Sequence, residues 1–112
     1  MEAKAEIIFV LFYGNLTVKI RSAPYNKYYY DVDSWGLGAQ GGTSLGVMYT
    51  AYDNWEAFFQ NVTSYHVQGI ADAGGILQVN WFISNGTPVG QYNGAMAGVG
   101  ALEAGGSGKW KS

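Results

Sequence analysis

The sequence predicts an all-β protein built as a small barrel, and three observations support that fold class. Segments rich in β-branched and aromatic residues alternate with turn residues every 8 to 12 positions or so, which gives roughly seven or eight strands and is typical of sandwiches and barrels. The 112 residues include 17 glycines but only two prolines, and glycines inside strands allow the bending that a barrel requires. The apolar period changes from two to about 3.6 at one place, so we expect one short helix.

Length and composition limit the possible domain count and function classes. A chain of 112 residues is expected to form one domain, 1–112, around one hydrophobic core. The absence of cysteine excludes disulfides, thiol chemistry and cysteine-ligated metal. A net charge of −2 provides no basic surface for nucleic acid. The longest apolar run, Ile7–Tyr13, is too short for a membrane-spanning helix or a signal peptide, and the sequence leaves the cellular compartment open.

The first hairpin is predicted over Ile7–Ser22, with Gly14 and Asn15 as a two-residue turn because a leading glycine suits type II′ geometry. The inner, apolar face is then expected to contain Ile7, Phe9, Leu11, Tyr13, Leu16, Val18 and Ile20. The outer face is expected to carry Ile8, Val10 and Phe12 beside Lys19 and Arg21. An apolar patch edged by positive charge is a candidate contact surface, unless the helix or a loop covers it.

The middle of the chain is predicted to contain two further strands and the helix. The strands cover Tyr28–Asp33 and Leu45–Thr50, and the glycine-rich stretch Trp35–Ser44 between them is either a loop or a strongly bent strand. The helix is predicted from about Asn54 to Asn61, because aromatic residues recur there at three- and four-residue steps. Asp53 and Glu56 have the spacing of a capping box at its start.

The last third is predicted to hold a strand over Thr63–Ile70, a turn over Ala71–Gly75 and a closing hairpin around Asn85 and Gly86. Asn-Gly suits a type I′ turn, whose two central residues both need positive φ. Counting outward from it places Trp81 opposite Gly90, Val79 opposite Tyr92, Leu77 opposite Gly94, Asn80 opposite Gln91 and Gln78 opposite Asn93. We expect side chains at Gly90 and Gly94 to collide with Trp81 or Leu77, and we expect the glycine-rich final strand to bend strongly.

No residue pattern indicates a catalytic, cofactor or metal site. His66 is the one histidine, and the sequence places no second base beside it. Asp31 and Asp33 project from one side of a strand and could hold a cation or act as an acid–base pair, but a solvated strand end is the favoured interpretation. We therefore expect no metal and no cofactor.

Several segments resemble the virulence-associated (Vap) proteins of intracellular actinobacteria. The similarity is carried by VNWFIS, NGTPVG, AMAGVGA and the terminal GGSGKW, by the helix segment DNWEAFFQNVTSYHV and by the glycine-rich stretch Leu37–Gly46. The resemblance implies a compact eight-stranded antiparallel β-barrel of two Greek-key halves with one short helix. It also implies that this protein is a secreted effector that helps a bacterium persist in phagocytes. Members of the family have no established catalytic residues and no cofactor.

The function expected from these observations is a non-enzymatic effector or interaction domain. It would act as a monomer on a membrane surface or a protein partner, and it would be secreted if it follows the family. The alternatives are a barrel that binds a small molecule such as a lipid or sugar, and an enzyme of the barrel-cyclase kind. An interior filled by side chains favours the first hypothesis, because small barrels have room for one small ligand at most.

Overall fold

The computed structural model describes residues 1–71 and 75–112, without the side chains of residues 70, 71 and 97–99. Within these residues it contains five strands and one helix. In chain order they are β1 (Glu2–Ile20), β2 (Tyr29–Thr50), α1 (Trp55–Asn61), β3 (Ser64–Ala71), β4 (Ile76–Phe82) and β5 (Pro88–Ser107). All the pairings are antiparallel, in the order β1-β2-β5-β3-β4, with a further pairing of β5 to β4. The all-β class is confirmed, but the predicted number of strands is wrong.

The predicted turn in the first hairpin is also wrong. β1 reverses at Leu11, which has a φ of 60°, and not at Gly14. A Cβ atom on Gly14 would lie 2.6 Å from the Cα of Phe9, and the Arg21 amide donates to the Glu2 carbonyl at 3.0 Å, so the two halves of β1 lie side by side. The earlier reversal gives Gly14 a position with no room for a side chain.

The shifted reversal changes the faces of β1 near its tip. The inward positions predicted for Ile7, Phe9, Leu16, Val18 and Ile20 are confirmed by their burial. Leu11 and Tyr13 were predicted to point inward and are exposed, because they flank the reversal instead of lying within a regular strand.

The two strands predicted on either side of Trp35–Ser44 are one continuous strand, β2. It bends at two glycines: Gly38 has a φ of 136°, and a Cβ on Gly36 would lie 2.5 Å from the Cα of Ala104. β2 pairs with β1 on one edge and with β5 on the other. The prediction of about eight strands divided such long, bent strands into separate ones.

The predicted register of the closing hairpin is confirmed at all five pairs. The turn itself differs, because Gly86 has a φ of 85° while Asn85 keeps a negative φ. The Gly86 amide bonds to the Ile83 carbonyl at 2.9 Å, and Ile83 pairs with Thr87, which makes a three-residue loop. A bulge beside Trp81 and Phe82 compensates for the extra residue and restores the expected pairing. Most of the turn predicted over Ala71–Gly75 lies outside the described residues.

The helix covers an aromatic core. It begins after Asn54, whose side chain accepts a hydrogen bond from the Ala57 amide at 2.8 Å, so the predicted cap at Asp53 is wrong by one residue. Phe58 is buried with its ring 5.6 Å from Trp81 and 5.8 Å from Trp110. This cluster is next to Gly90, where a Cβ would lie 2.9 Å from Phe58 Cδ1.

The predicted collisions at Gly90 and Gly94 involve other residues than expected. At Gly90 the obstacle is Phe58 from the helix, and at Gly94 it is the buried hydroxyl pair of Ser44 and Tyr92. Both glycines therefore leave space for core side chains, and the hairpin register alone does not identify those side chains.

We expect Gly94→Ala to lower the free energy of unfolding by about 1–3 kcal/mol, because a methyl group there displaces the Tyr92 hydroxyl and meets the Leu45 carbonyl. Gly106→Ala, on the same strand, is the control, since its nearest neighbours lie at an ordinary 3.5 Å. Urea denaturation of both variants measures the difference. Equal stabilities would contradict this description of the Gly94 environment.

Candidate functional site

The structure separates the residues of the predicted contact surface into two groups. Ile8, Val10 and Phe12 are 65–70% exposed, so no loop or helix among the described residues covers them. Lys19 and Arg21 are also exposed, but they lie at the opposite end of β1, where Arg21 bonds to Glu2. Seven strand residues from Phe12 to Lys19 span about 23 Å. The expectation of a positively charged edge is therefore wrong.

Other apolar side chains join Ile8, Val10 and Phe12 around the reversal of β1. We call this group the apolar tip. Its members are Ile8, Val10, Leu11, Phe12 and Tyr13 from β1 and Trp35 and Leu37 from β2, all of them exposed.

The tip is held together by the pairing of β1 with β2. Tyr13 lies opposite Trp35, and their ring centroids are 4.6 Å apart with the planes tilted by 59°. Leu11 lies opposite Gly38, where a Cβ would lie 2.7 Å from the Cα of Leu102, so β5 packs closely on β2 there. Trp35 is 64% exposed, which is unusual for the largest apolar side chain.

Carboxylates border the apolar tip. Asp33 lies two positions before Trp35, and desolvation together with the Asp33 carboxylate raises the pKa of the Tyr13 hydroxyl. Glu103 lies opposite Leu37. The border therefore disfavours a strongly anionic partner.

The groups considered for catalysis lie apart from one another. His66 Nε2 contacts Glu103 Oε1 at 3.1 Å on the exposed side of the sheet. Asp31 accepts a hydrogen bond from Asn15 at 3.0 Å. Across residues 1–71 and 75–112, no group of three or more histidine, aspartate or glutamate side chains is arranged to hold a metal ion.

The buried hydroxyl groups are paired inside the core. Tyr65 bonds to Ser34, Tyr92 bonds to Ser44 at 2.8 Å, and Tyr30 donates to the Gly108 carbonyl at 3.1 Å. Burial raises the pKa of all three tyrosines. They consequently stay neutral at physiological pH and serve as structural hydrogen-bonding groups.

The helix in the described part of the chain is too short to cross a membrane.

Comparisons with known proteins agree with the fold described above. A family model described as Rhodococcus equi virulence-associated protein matches residues 1–111. The solved structure of VapD from Rhodococcus equi superposes with a TM-score of 0.81 at 22% identity, covering 98% of this chain and 95% of that one. VapB from the same organism gives a TM-score of 0.75 at 23% identity, covering 99% and 94%. No curated protein sequence matches the chain. Because the family model spans nearly every residue, the chain belongs to the Rhodococcus equi virulence-associated protein family.

Proposed function

We propose that this chain is a non-enzymatic binding domain whose apolar tip inserts into the surface of a lipid bilayer. The observation that carries the proposal is the clustering of seven exposed apolar side chains around one chain reversal. Single exposed apolar residues are normal on protein surfaces, whereas a continuous cluster of them marks an interaction site.

The size of the tip is sufficient for reversible attachment. Moving one large apolar side chain fully out of water contributes about 1.5–3 kcal/mol. Insertion of three or four tip side chains therefore contributes about 4.5–12 kcal/mol, which is comparable to the roughly 4–15 kcal/mol that association costs, so attachment is expected to be weak and reversible.

The chemistry and shape of the tip favour lipid over a protein partner. The tip surrounds the reversal of a strand, and Tyr13 and Trp35 have the amphipathic rings that concentrate at membrane–water interfaces. Asp33 and Glu103 beside it disfavour anionic headgroups. We infer a preference for uncharged or zwitterionic lipid such as phosphatidylcholine.

We also infer that the sheet closes into a barrel of two Greek-key halves. Supporting this, β4 and β3 pair with each other and with successive parts of β5. The folded-back β1 has the same relation to successive parts of β2. Each half is then a hairpin flanked on both sides by one long bent strand.

We infer that the domain acts as a monomer, without a cofactor, and outside the cell that produces it. The filled core supports binding at the outer surface, since Trp81, Tyr30, Tyr92 and Phe58 are fully buried in the interior. The dispersed positions of His66 and the aspartates support the absence of catalysis.

Replacing both Val10 and Phe12 by Ser should weaken binding to phosphatidylcholine vesicles by about tenfold or more, because two inserted side chains are lost. The free energy of unfolding should change by less than about 1 kcal/mol, because both residues already face water. Vesicle flotation and urea denaturation provide the two measurements.

The matched control replaces Leu45 and Val47, two exposed apolar residues of β2 outside the tip, by Ser. This control should bind vesicles like the parent chain. Equal binding by all three proteins would exclude the tip as the lipid-binding surface. Capture of the parent by anionic vesicles alone would contradict the inferred preference for uncharged or zwitterionic lipid.

His66→Ala should leave vesicle binding unchanged and alter the free energy of unfolding by less than about 1 kcal/mol, since exposed ion pairs contribute little. Glu103→Gln tests the same pair from its other side. A folded His66→Ala protein that has lost its function would show that the histidine takes part in chemistry.

A further inference from the structure

A row of four amide side chains crosses the outer face of β4 and β5. Gln78 Nε2 donates to Asn93 Oδ1 at 3.0 Å, Asn93 Nδ2 donates to Gln91 Oε1 at 2.8 Å, and Gln91 Nε2 donates to Asn80 Oδ1 at 2.9 Å. All the bonds run in the same direction along the row, and each polarises the next. The four side chains, half-buried, are thereby fixed in position.

An exposed aromatic ring stands at one end of this row. Tyr49 on β2 lies opposite Gln91, which in turn lies opposite Asn80 on β4. The Tyr49 side chain is 59% exposed, and it lines a shallow hollow together with Thr50, Asn80 and Gln91. Ring and amides therefore face the same side of three adjacent strands.

The amides keep hydrogen-bonding capacity beyond the bonds within the row. Each side-chain amide has two N–H donors and an oxygen with two lone pairs. A hydrogen bond along the row uses one N–H of the donating amide and one lone pair of the accepting amide. A ligand thus meets donors and acceptors that are already ordered, which lowers the entropic cost of binding.

The character of the surface restricts the class of ligand. Tyr49 and the four amides are uncharged, so they provide no counter-charge for phosphate or carboxylate ligands. An added peptide strand is also disfavoured, because β5 already pairs with β2 on one edge and with β4 on the other. A neutral polyol suits this surface, since hydroxyl groups both donate and accept and a sugar ring packs its C–H face on an aromatic ring.

We propose that Tyr49, Gln91, Asn80, Asn93 and Gln78 form a binding site for neutral carbohydrate. The site uses other residues than the apolar tip, so it neither depends on nor replaces the lipid-binding function. The apolar tip contacts lipid through apolar side chains, whereas the carbohydrate site binds hydroxyl groups through side-chain amides.

Nuclear magnetic resonance of the nitrogen-15-labelled full chain tests the site directly, because side-chain amide groups give their own resonances. The probes are maltotetraose, cellotetraose, mannotetraose and chitotetraose, each added to about 10 mM, a concentration that detects millimolar binding. At least one sugar should shift the side-chain resonances of Gln78, Asn80, Gln91 and Asn93. If none of the four sugars shifts them, or if the shifts are confined to the apolar tip, the proposal is overturned.

Variants of Tyr49 separate ring stacking from nonspecific contact. Tyr49→Ala should weaken binding of the responding sugar by about tenfold, while Tyr49→Phe, which keeps the ring, should bind within about threefold of the parent. Leu45→Ala, an exposed position four residues earlier on β2, is the control and should bind like the parent. Unchanged affinity in a folded Tyr49→Ala protein would also overturn the proposal.

Discussion

The long strands of this protein bend and cross because their backbones approach each other at positions without side chains. A Cβ on Gly46 would lie 2.6 Å from the Cα of Gly94, and one on Gly36 would lie 2.5 Å from the Cα of Ala104. Gly100 has a φ of 96°, which side chains disfavour, and packs against the backbone of Ala39. These contacts join β2 to β5, and all other pairings are built outward from those two strands. The curvature of the sheet, the shape of its core and the position of its exposed ends all depend on them.

The same bending explains how one small domain has both a filled interior and an apolar exterior. Where the strands curl inward, alternate side chains converge on Trp81, Tyr30 and Tyr92, and the helix adds Phe58 above Gly90. Where β1 reverses, the alternation is interrupted, so that Leu11, Phe12 and Tyr13 all remain exposed. Leu11 adopts positive φ, which is uncommon for a branched side chain and indicates that the surrounding pairing holds the reversal in place.

The sequence determined some of these features locally, and those were predictable. The register of the closing hairpin followed from counting outward from Asn85 and Gly86, and it held although the turn type was different, because the bulge beside Trp81 and Phe82 compensates for the longer loop. The helix was recognisable from its aromatic spacing.

The reversal at Leu11 was not predictable, because apolar residues at a turn have no turn signature, and the crowding at Gly14 arises only when the two halves of β1 meet. Trp35 and Leu37 were missed as surface residues for a related reason: small residues around them resembled a loop, whereas β1 and β5 hold that stretch as a strand. Lys19 and Arg21 were predicted to lie beside the apolar patch because the alternation rule gives the face of the strand on which a side chain lies. It does not give the distance between two side chains along that strand.

Bending of β1 and β2 presents the apolar tip, and we propose that this tip enters lipid. Trp35 fluorescence tests this proposal, because Trp35 lies in the tip, whereas Trp81 and Trp110 are buried and the half-buried Trp55 packs its ring against Phe58 and Phe59. Phosphatidylcholine vesicles with bromine on the upper acyl chain quench only tryptophans that reach the hydrocarbon region. We expect these vesicles to quench the emission of the parent chain, and we expect the quenching to disappear in Trp35→Phe. Emission that brominated lipid leaves unchanged, or quenching that persists in Trp35→Phe, would contradict it.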